Sequence, residues 1–264
     1  MEYFKLNNGV QIPSIGYGVY QIPKEDTKRC VLEALEIGYR LIDTAQYYEN
    51  ERGVGDAIKA SNIPREEIYI TTKLKSNDDV EKLINESLTE LQTNYIDLLL
   101  IHWVMGDDIM TWKKMENAVR TGKVRSIGLS NFYGDSYETI VNNATILPAV
   151  NQIEHHVLRQ NDSFRPILKK TDTYLEAWAP FAEGKAELFQ NRTLKKISIS
   201  HKKTIAQIML RFYIQSDVIA IPKSIHKSRM AENFDIFDFS LSKQDMKVLQ
   251  SLNQELDLFG WYQS

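Results

Sequence analysis

The chain has 264 residues, 43% hydrophobic and 25% charged, the balance of an ordinary soluble globular protein, and its length admits one large domain or two small ones. A formal net charge of −3 gives no sign of a nucleic-acid-binding surface, and no apolar run approaches the roughly 20 residues that span a bilayer. A single cysteine, Cys30, excludes an intrachain disulfide, and the opening Met1-Glu2-Tyr3-Phe4-Lys5 lacks the basic region and apolar core of a signal peptide, so a cytoplasmic protein is expected.

In chain order, Phe4–Ile12 alternates around Asn8-Gly9 and predicts an N-terminal β-hairpin, because Asn and Gly tolerate the positive φ of a tight primed turn. A strand over Ser14–Tyr17 precedes a helix over Thr27–Ile37, in which Cys30 shares an apolar stripe with Val31, Ala34 and Leu35 and reads as a small buried hydrophobe. A strand over Arg40–Thr44 leads to a helix over Glu51–Ala60, with Asn50 as its cap. Ile68–Lys73 leads to a helix over Asp79–Leu91, with Asn77 as its cap and Asp78 and Asp79 setting carboxylates near the N-terminus. Ile96–His102, Ser126–Ser130, Ala149–Glu154, Tyr174–Ala179 and Val218–Ile221 complete the strand series, and a further helix is expected over Ile205–Ile214.

A continuous apolar run such as Ile96-Asp97-Leu98-Leu99-Leu100-Ile101 suits a strand covered on both faces, hence a parallel sheet with crossover helices. Eight strand–helix units favour a closed (β/α)8 TIM barrel with an N-terminal β-hairpin over an open doubly wound sheet. No linker or low-complexity tract interrupts the series, so residues 1–264 are expected to form a single domain. Catalysis in such barrels sits at the C-terminal ends of the strands. Those ends carry Asp43, Lys73, His102, Ser130-Asn131, Gln152, Trp178 and Pro222-Lys223-Ser224. One strand-end Asp or Lys is often half of a structural ion pair, but this many polar groups on one face argue for chemistry. Adjacent His155 and His156 would point to opposite faces of a strand, so no metal site is expected. No GxGxxG follows the first strands, which leaves a Rossmann-type dinucleotide site unsupported.

The segments Asp43-Thr44-Ala45-Gln46-Tyr47-Tyr48-Glu49-Asn50-Glu51, Thr72-Lys73, Ile101-His102-Trp103 and Gly128-Leu129-Ser130-Asn131-Phe132 resemble the ordered signatures of the aldo-keto reductases. Asn151-Gln152, Ile221-Pro222-Lys223-Ser224, Arg229 and Glu232-Asn233 continue the resemblance to about Phe239. Gly16-Tyr17-Gly18-Val19-Tyr20-Gln21 and Ala177-Trp178-Ala179-Pro180 resemble the bacterial diketogluconate and methylglyoxal reductase-type members. The resemblance implies NADPH-dependent reduction of aldehydes or ketones to alcohols. Such a reaction needs hydride on carbon and a proton on oxygen. Tyrosine is a poor acid at a pKa of ~10, and a neighbouring ammonium lowers that value. Lys73 suits this role, with Asp43 holding it and partly neutralising it. The family's acid sits five residues after the aspartate, which implies Tyr48 rather than Tyr47 as proton donor. His102 would orient the carbonyl and assist the proton relay.

The resemblance also implies NADPH extended across the barrel mouth. Ser130, Asn131 and Gln152 would bond the nicotinamide carboxamide, Trp178 would stack on the ring, and Glu232 and Asn233 would contact the adenine. Lys223, Ser224 and Arg229 suit the 2′-phosphate, whereas Lys227 reads as solvated surface charge. Tyr20, Tyr47 and Trp103, with Phe132, are expected to wall the pocket for a small-molecule carbonyl substrate. The quick passage from Trp103 through Val104-Met105-Gly106-Asp107-Asp108 to the helix of Trp112 and Met115 predicts an open, unselective site. The tail Leu256–Tyr262 either folds over the mouth or packs on the barrel's side. A monomer is expected, with neither nucleic acid nor membrane as partner. Two alternatives stay open: a Schiff-base aldolase using Lys73, and an NADPH-sensing regulatory subunit with little turnover.

Overall fold

Residues 1–261 are described by a computed structural model. The N-terminal hairpin pairs β1 (Tyr3–Lys5) with β2 (Gln11–Pro13) in antiparallel register. Its turn is not the primed type expected. The Gly9 N–H donates to the Leu6 carbonyl, so Asn7 and Asn8 occupy the centre, and of the turn residues only Gly9 takes a positive φ, 87°. The asparagine amides instead reach later segments of the chain: Asn7 Nδ2 donates to the Pro148 carbonyl (2.8 Å) and Asn8 Nδ2 to Ser126 Oγ (2.9 Å).

One sheet holds β3 (Tyr17–Gly18), β4 (Leu41–Asp43), β5 (Tyr69–Leu74), β6 (Ile96–Ile101), β7 (Val124–Ser130), β8 (Val150–Glu154), β9 (Tyr174–Trp178) and β10 (Val218–Ala220). Neighbours in sequence are neighbours in the sheet, and all pairs are parallel. All eight expected strands are present. Their ends shift most at β3, because Ser14–Gly16 bonds across to β10 rather than to β4: Gly16 N–H donates to the Ala220 carbonyl (2.8 Å) and Ala220 N–H to that of Ser14 (3.1 Å). Through the parallel Ile15–Ala220 bridge the two edges of the curled sheet meet, consistent with the expected (β/α)8 architecture.

Strand alternation divides the apolar residues into two clusters. Leu41, Tyr69, Leu98, Leu100, Val150 and Ile219 face inward and are plugged from the hairpin side by Leu6 and Ile12. Ile42, Ile70, Leu99, Ile101, Ile127, Leu129 and Ile153 face outward under the helices. Each buried aliphatic chain is worth about 1.5–3 kcal/mol, so slipping a strand by one residue would forfeit most of its contribution.

The covering helices are α1 (Lys24–Ile37), α2 (Glu51–Ala60), α3 (Val80–Glu90), α4 (Asp108–Arg120), α5 (Gly134–Asn143), α6 (Arg165–Lys169), α7 (Arg192–His201), α8 (Ile205–Gln215), α9 (Lys227–Phe234) and α10 (Lys243–Gln250). Asn50 precedes α2, but its side chain makes no capping bond. It is spent inside, accepting from Thr44 Oγ1 (2.8 Å) and donating to the Val19 carbonyl (3.0 Å). At α3 the cap is Asp79, which accepts from the Lys82 N–H. Cys30 is fully buried in α1, and no helix among the described residues is long and apolar enough to cross a membrane.

Candidate active site

The strand termini bring Asp43, Lys73 and His102 to one end of the sheet, and the short 3-10 turn Gln46–Tyr48 returns Tyr48 over them. Lys73 is wholly buried. Its Nζ donates to Asp43 Oδ1 (2.7 Å), the Thr44 carbonyl (2.8 Å) and Tyr48 Oη (3.3 Å). An ammonium has three N–H bonds, and here each has an acceptor. Because Tyr48 accepts from Lys73, its own O–H remains available to a group in the cavity. Tyr47, the neighbour in sequence, is 59% exposed and stands over His102 with ring centroids 5.6 Å apart. Only Tyr48 touches the lysine.

Burial is the largest influence on Asp43, Tyr48, Lys73 and His102. It pushes the Tyr48 phenol up to about 12, against the Lys73 ammonium that pulls it down. The sequence-based expectation of a lowered phenol is therefore right for the lysine's effect and wrong for the net direction. Burial also opposes charge on Lys73, but Asp43 and Tyr48 outweigh it and hold the ammonium above its ordinary pKa. Asp43 is raised by burial despite Lys73 and Gln152. His102 is pushed down to about 3 by burial and then by Lys73, so it is a neutral imidazole at physiological pH, and its Nδ1 has no hydrogen-bond partner among the described residues. A lysine so firmly protonated is a poor nucleophile, which leaves the Schiff-base alternative without support.

Around this set lies a cavity of 820 Å³, walled by Tyr20, Tyr47, Trp103, Trp178 and Trp261. Ser130, Asn131, Gln152 and Lys223 also line it. Asn131 adopts the left-handed conformation (φ 65°), which asparagine tolerates, and this turns its side chain back to donate to the His102 carbonyl (3.1 Å) and Ser130 Oγ (3.0 Å). Its carbonyl accepts from Trp178 Nε1 (2.8 Å). Gln152 spends both amide N–H bonds on carboxyl groups, Asp43 Oδ2 (2.8 Å) and Glu176 Oε1 (2.9 Å), so toward the cavity it can offer only its carbonyl oxygen. The Ser130 hydroxyl keeps its proton to donate. A flat indole, one hydroxyl donor and one carbonyl acceptor fit a nicotinamide carboxamide. Gly18 also lines the cavity, and a Cβ there would lie 3.0 Å from the Ile221 carbonyl.

The remaining expected cofactor residues sit on and before α9. Ser224 is buried, its hydroxyl accepting from the His226 N–H (3.1 Å), and its carbonyl accepts from the Tyr17 hydroxyl. Arg229 is exposed in the first turn of α9, and Asn233 is buried. Glu232 accepts from Thr204 Oγ1 (2.8 Å), at the N-terminus of α8. Lys227 pairs at the surface with Glu36 (2.6 Å).

One expectation about the walls needs revision, and one left open is decided. Phe132 is fully buried in the outer core and does not line the cavity. The tail folds over the mouth as far as it is described, with Tyr262 outside the described residues. Leu258 N–H donates to Glu154 (3.1 Å), Asp257 pairs with Arg159 (3.4 Å), and Trp261 reaches Trp103 and Trp178. Sequence reasoning also missed Glu176. The available signal was an acidic residue two positions before Trp178, which alternation puts on the same inner face.

Comparison with known proteins adds three findings. A sequence model of the Aldo/keto reductase family matches residues 13–254. Glyoxal reductase of Bacillus subtilis (strain 168) is 41% identical over 257 residues, 95% of this chain and 92% of that protein, and methylglyoxal reductase DkgA of Escherichia coli (strain K12) is 37% identical over 255 residues, 95% and 93%. The crystal structure of the Bombyx mori aldo-keto reductase in complex with NADP superimposes with a TM-score of 0.91 at 31% identity, covering 98% of this chain and 95% of that one.

Proposed function

The chain belongs to the aldo/keto reductase family, and we propose that it reduces small aldehydes and ketones to alcohols with NADPH, 1,2-dicarbonyls of the glyoxal and methylglyoxal kind foremost, with Tyr48 as proton donor. The observation that carries this reading is the full engagement of Lys73, which leaves the Tyr48 hydroxyl free to face the cavity. The relatives named for glyoxal and methylglyoxal support the substrate class.

NADPH, when bound, supplies the hydride. Tyr48 donates its proton to the carbonyl oxygen as negative charge develops there, and the Lys73 ammonium stabilises the phenolate left behind. Asp43 fixes Lys73 in place. Neutral His102 donates an N–H to the same oxygen, which aims the carbonyl and assists the proton's passage. Ser130, Asn131 and Gln152 hold the carboxamide, Asn131 by positioning Ser130 and Trp178, and Trp178 carries the nicotinamide ring. Lys223, Ser224 and Arg229 bind the 2′-phosphate, and Glu232 and Asn233 face the adenine. Tyr20, Tyr47 and Trp103 wall the substrate. The short connection after His102 leaves the site open and its selectivity broad. We read the enzyme as a cytoplasmic monomer, one domain over residues 1–264 on a closed (β/α)8 barrel. The complete catalytic set speaks for turnover rather than sensing.

The test is NADPH consumption against methylglyoxal, aromatic aldehydes, sugar ketones and diketones. Methylglyoxal should give the highest kcat/KM, and Tyr48→Phe should lower kcat by about 100-fold or more with NADPH binding retained. A Tyr48→Phe enzyme that keeps most of its activity would remove Tyr48 as donor, and a wild-type protein inert toward the whole panel would remove the reading itself.

A further inference from the structure

Gln152 sits between two carboxyl groups in the barrel interior. One, Asp43, is balanced by Lys73 at 2.7 Å. The other, Glu176 on β9, is wholly buried, takes one bond from Gln152 Nε2 at 2.9 Å, and leaves its Oε2 without a hydrogen-bond partner among the described residues. The register sets Glu176 level with Gln152 on β8 and beside Ile219 on β10, with Tyr69 and Lys73 of β5 and Asp43 of β4 as the titratable groups facing it. Tyr69 is itself driven well above the ordinary phenol range by burial, so it contributes no charge. Lys73 and Asp43 cancel. Among the described residues nothing else opposite Glu176 is positive.

Resting on the reading of the site as a carbonyl reductase, we propose that Glu176 is a positioning residue that, as a neutral carboxylic acid, steadies Gln152 against Asp43, and that its ionisation in alkaline conditions shuts reduction down. An uncharged carboxyl leaves the pair Lys73–Asp43 electrically closed. Ionised, it adds an uncompensated negative charge beneath the oxygen on which reduction builds negative charge. That charge also binds Lys73 more strongly and so weakens the ammonium's pull on the Tyr48 proton. Burial, with Asp43 reinforcing it, pushes the Glu176 carboxyl up to about 8, which places the change within a measurable range.

The experiment is the pH profile of kcat/KM for methylglyoxal with NADPH in wild type, Glu176→Gln and Glu176→Leu. Wild type should fall by up to about tenfold per pH unit above a break near 8. Glu176→Gln keeps an acceptor for Gln152 and cannot ionise. It should retain activity at pH 6.5 within about threefold and lose the break, whereas Glu176→Leu should be depressed at every pH. A break unchanged in Glu176→Gln overturns the proposal. Infrared spectroscopy supplies a readout independent of turnover: the C=O band of a protonated buried carboxyl should be present in wild type at pH 7 and absent from Glu176→Gln. Identical spectra also overturn it. If no carbonyl is reduced at any pH, the carbonyl-reductase reading fails on its own, and the infrared comparison still decides the state of Glu176.

Discussion

Trp261 of the C-terminal tail stacks on Trp178, with ring centroids 5.0 Å apart and planes 27° from parallel. It also meets Trp103 edge-on at 6.0 Å and Phe259 at 5.1 Å. One tail residue thus joins the ring expected to carry nicotinamide to a ring expected to touch substrate. Aromatic pairs of this kind contribute about 0.5–1.5 kcal/mol beyond the area they bury. Trp261→Ala should therefore raise KM for an aromatic aldehyde by about two- to tenfold, with kcat little changed. Steady-state kinetics at saturating NADPH check this. A fall in the NADPH Kd instead would mean that the tail ring lies where the cofactor ring belongs.

The Asp43–Lys73 pair should show that removing one partner costs more than removing both. Both side chains are essentially dry, so Lys73→Met strands a carboxyl whose only other bond among the described residues is to Gln152. Breaking a buried pair this way costs about 3–5 kcal/mol. The double variant Asp43→Asn with Lys73→Met should recover much of that loss in urea unfolding while activity stays absent. Equal stability of the single and double variants would contradict a buried ion pair.

His102 ties stability to pH on the acid side. Its folded pKa, about 3, lies below the ordinary value of 6.5, so between those limits the unfolded chain holds a proton that the folded chain does not. Stability must then fall as pH drops through that window, by up to about 1.4 kcal/mol per unit for one group. His155, also driven well down by burial, adds a slope of the same sign. Unfolding free energies at pH 7 and pH 5 should differ by about 2 kcal/mol less in His102→Gln than in wild type. Glu176 carries the opposite sign, since a raised carboxyl loses its stabilising effect as pH rises from 4.5 through about 8.

Arg229 lies exposed in the first turn of α9, while Ser224 is fixed by the His226 N–H, and Lys223 alone of this group reaches the cavity. A charge-assisted bond contributes about 1.5–3 kcal/mol. Arg229→Ala should therefore raise KM for NADPH by about 10-fold or more and leave that for NADH nearly unchanged. Paired kinetics with the two cofactors measure it. Comparable efficiency with both in the wild type would remove the 2′-phosphate assignment.

The order of strands and helices was legible because the apolar period changes from two to 3.6 along one chain, and strand ends then follow from where each apolar run stops. That alone put Asp43, Lys73 and His102 on one rim. The choice of Tyr48 over Tyr47 came from family likeness, and what the tertiary structure adds is that Lys73 bonds to Tyr48 and not to its neighbour. Burial decided the rest, because a sequence names its titratable groups without saying how dry they are. Hence the net direction at Tyr48, the neutrality of His102 and the uncompensated carboxyl of Glu176 appeared only once the chain was folded. Long-range contacts were equally hidden. Asn50 looked like a cap and serves as an interior hydrogen-bond hub, and Trp261 lies 83 residues beyond Trp178 in the chain yet stacks upon it. Local period and strand-end chemistry are written in neighbours; desolvation and the tail's seat depend on which distant segments exclude water, and only the folded chain determines that.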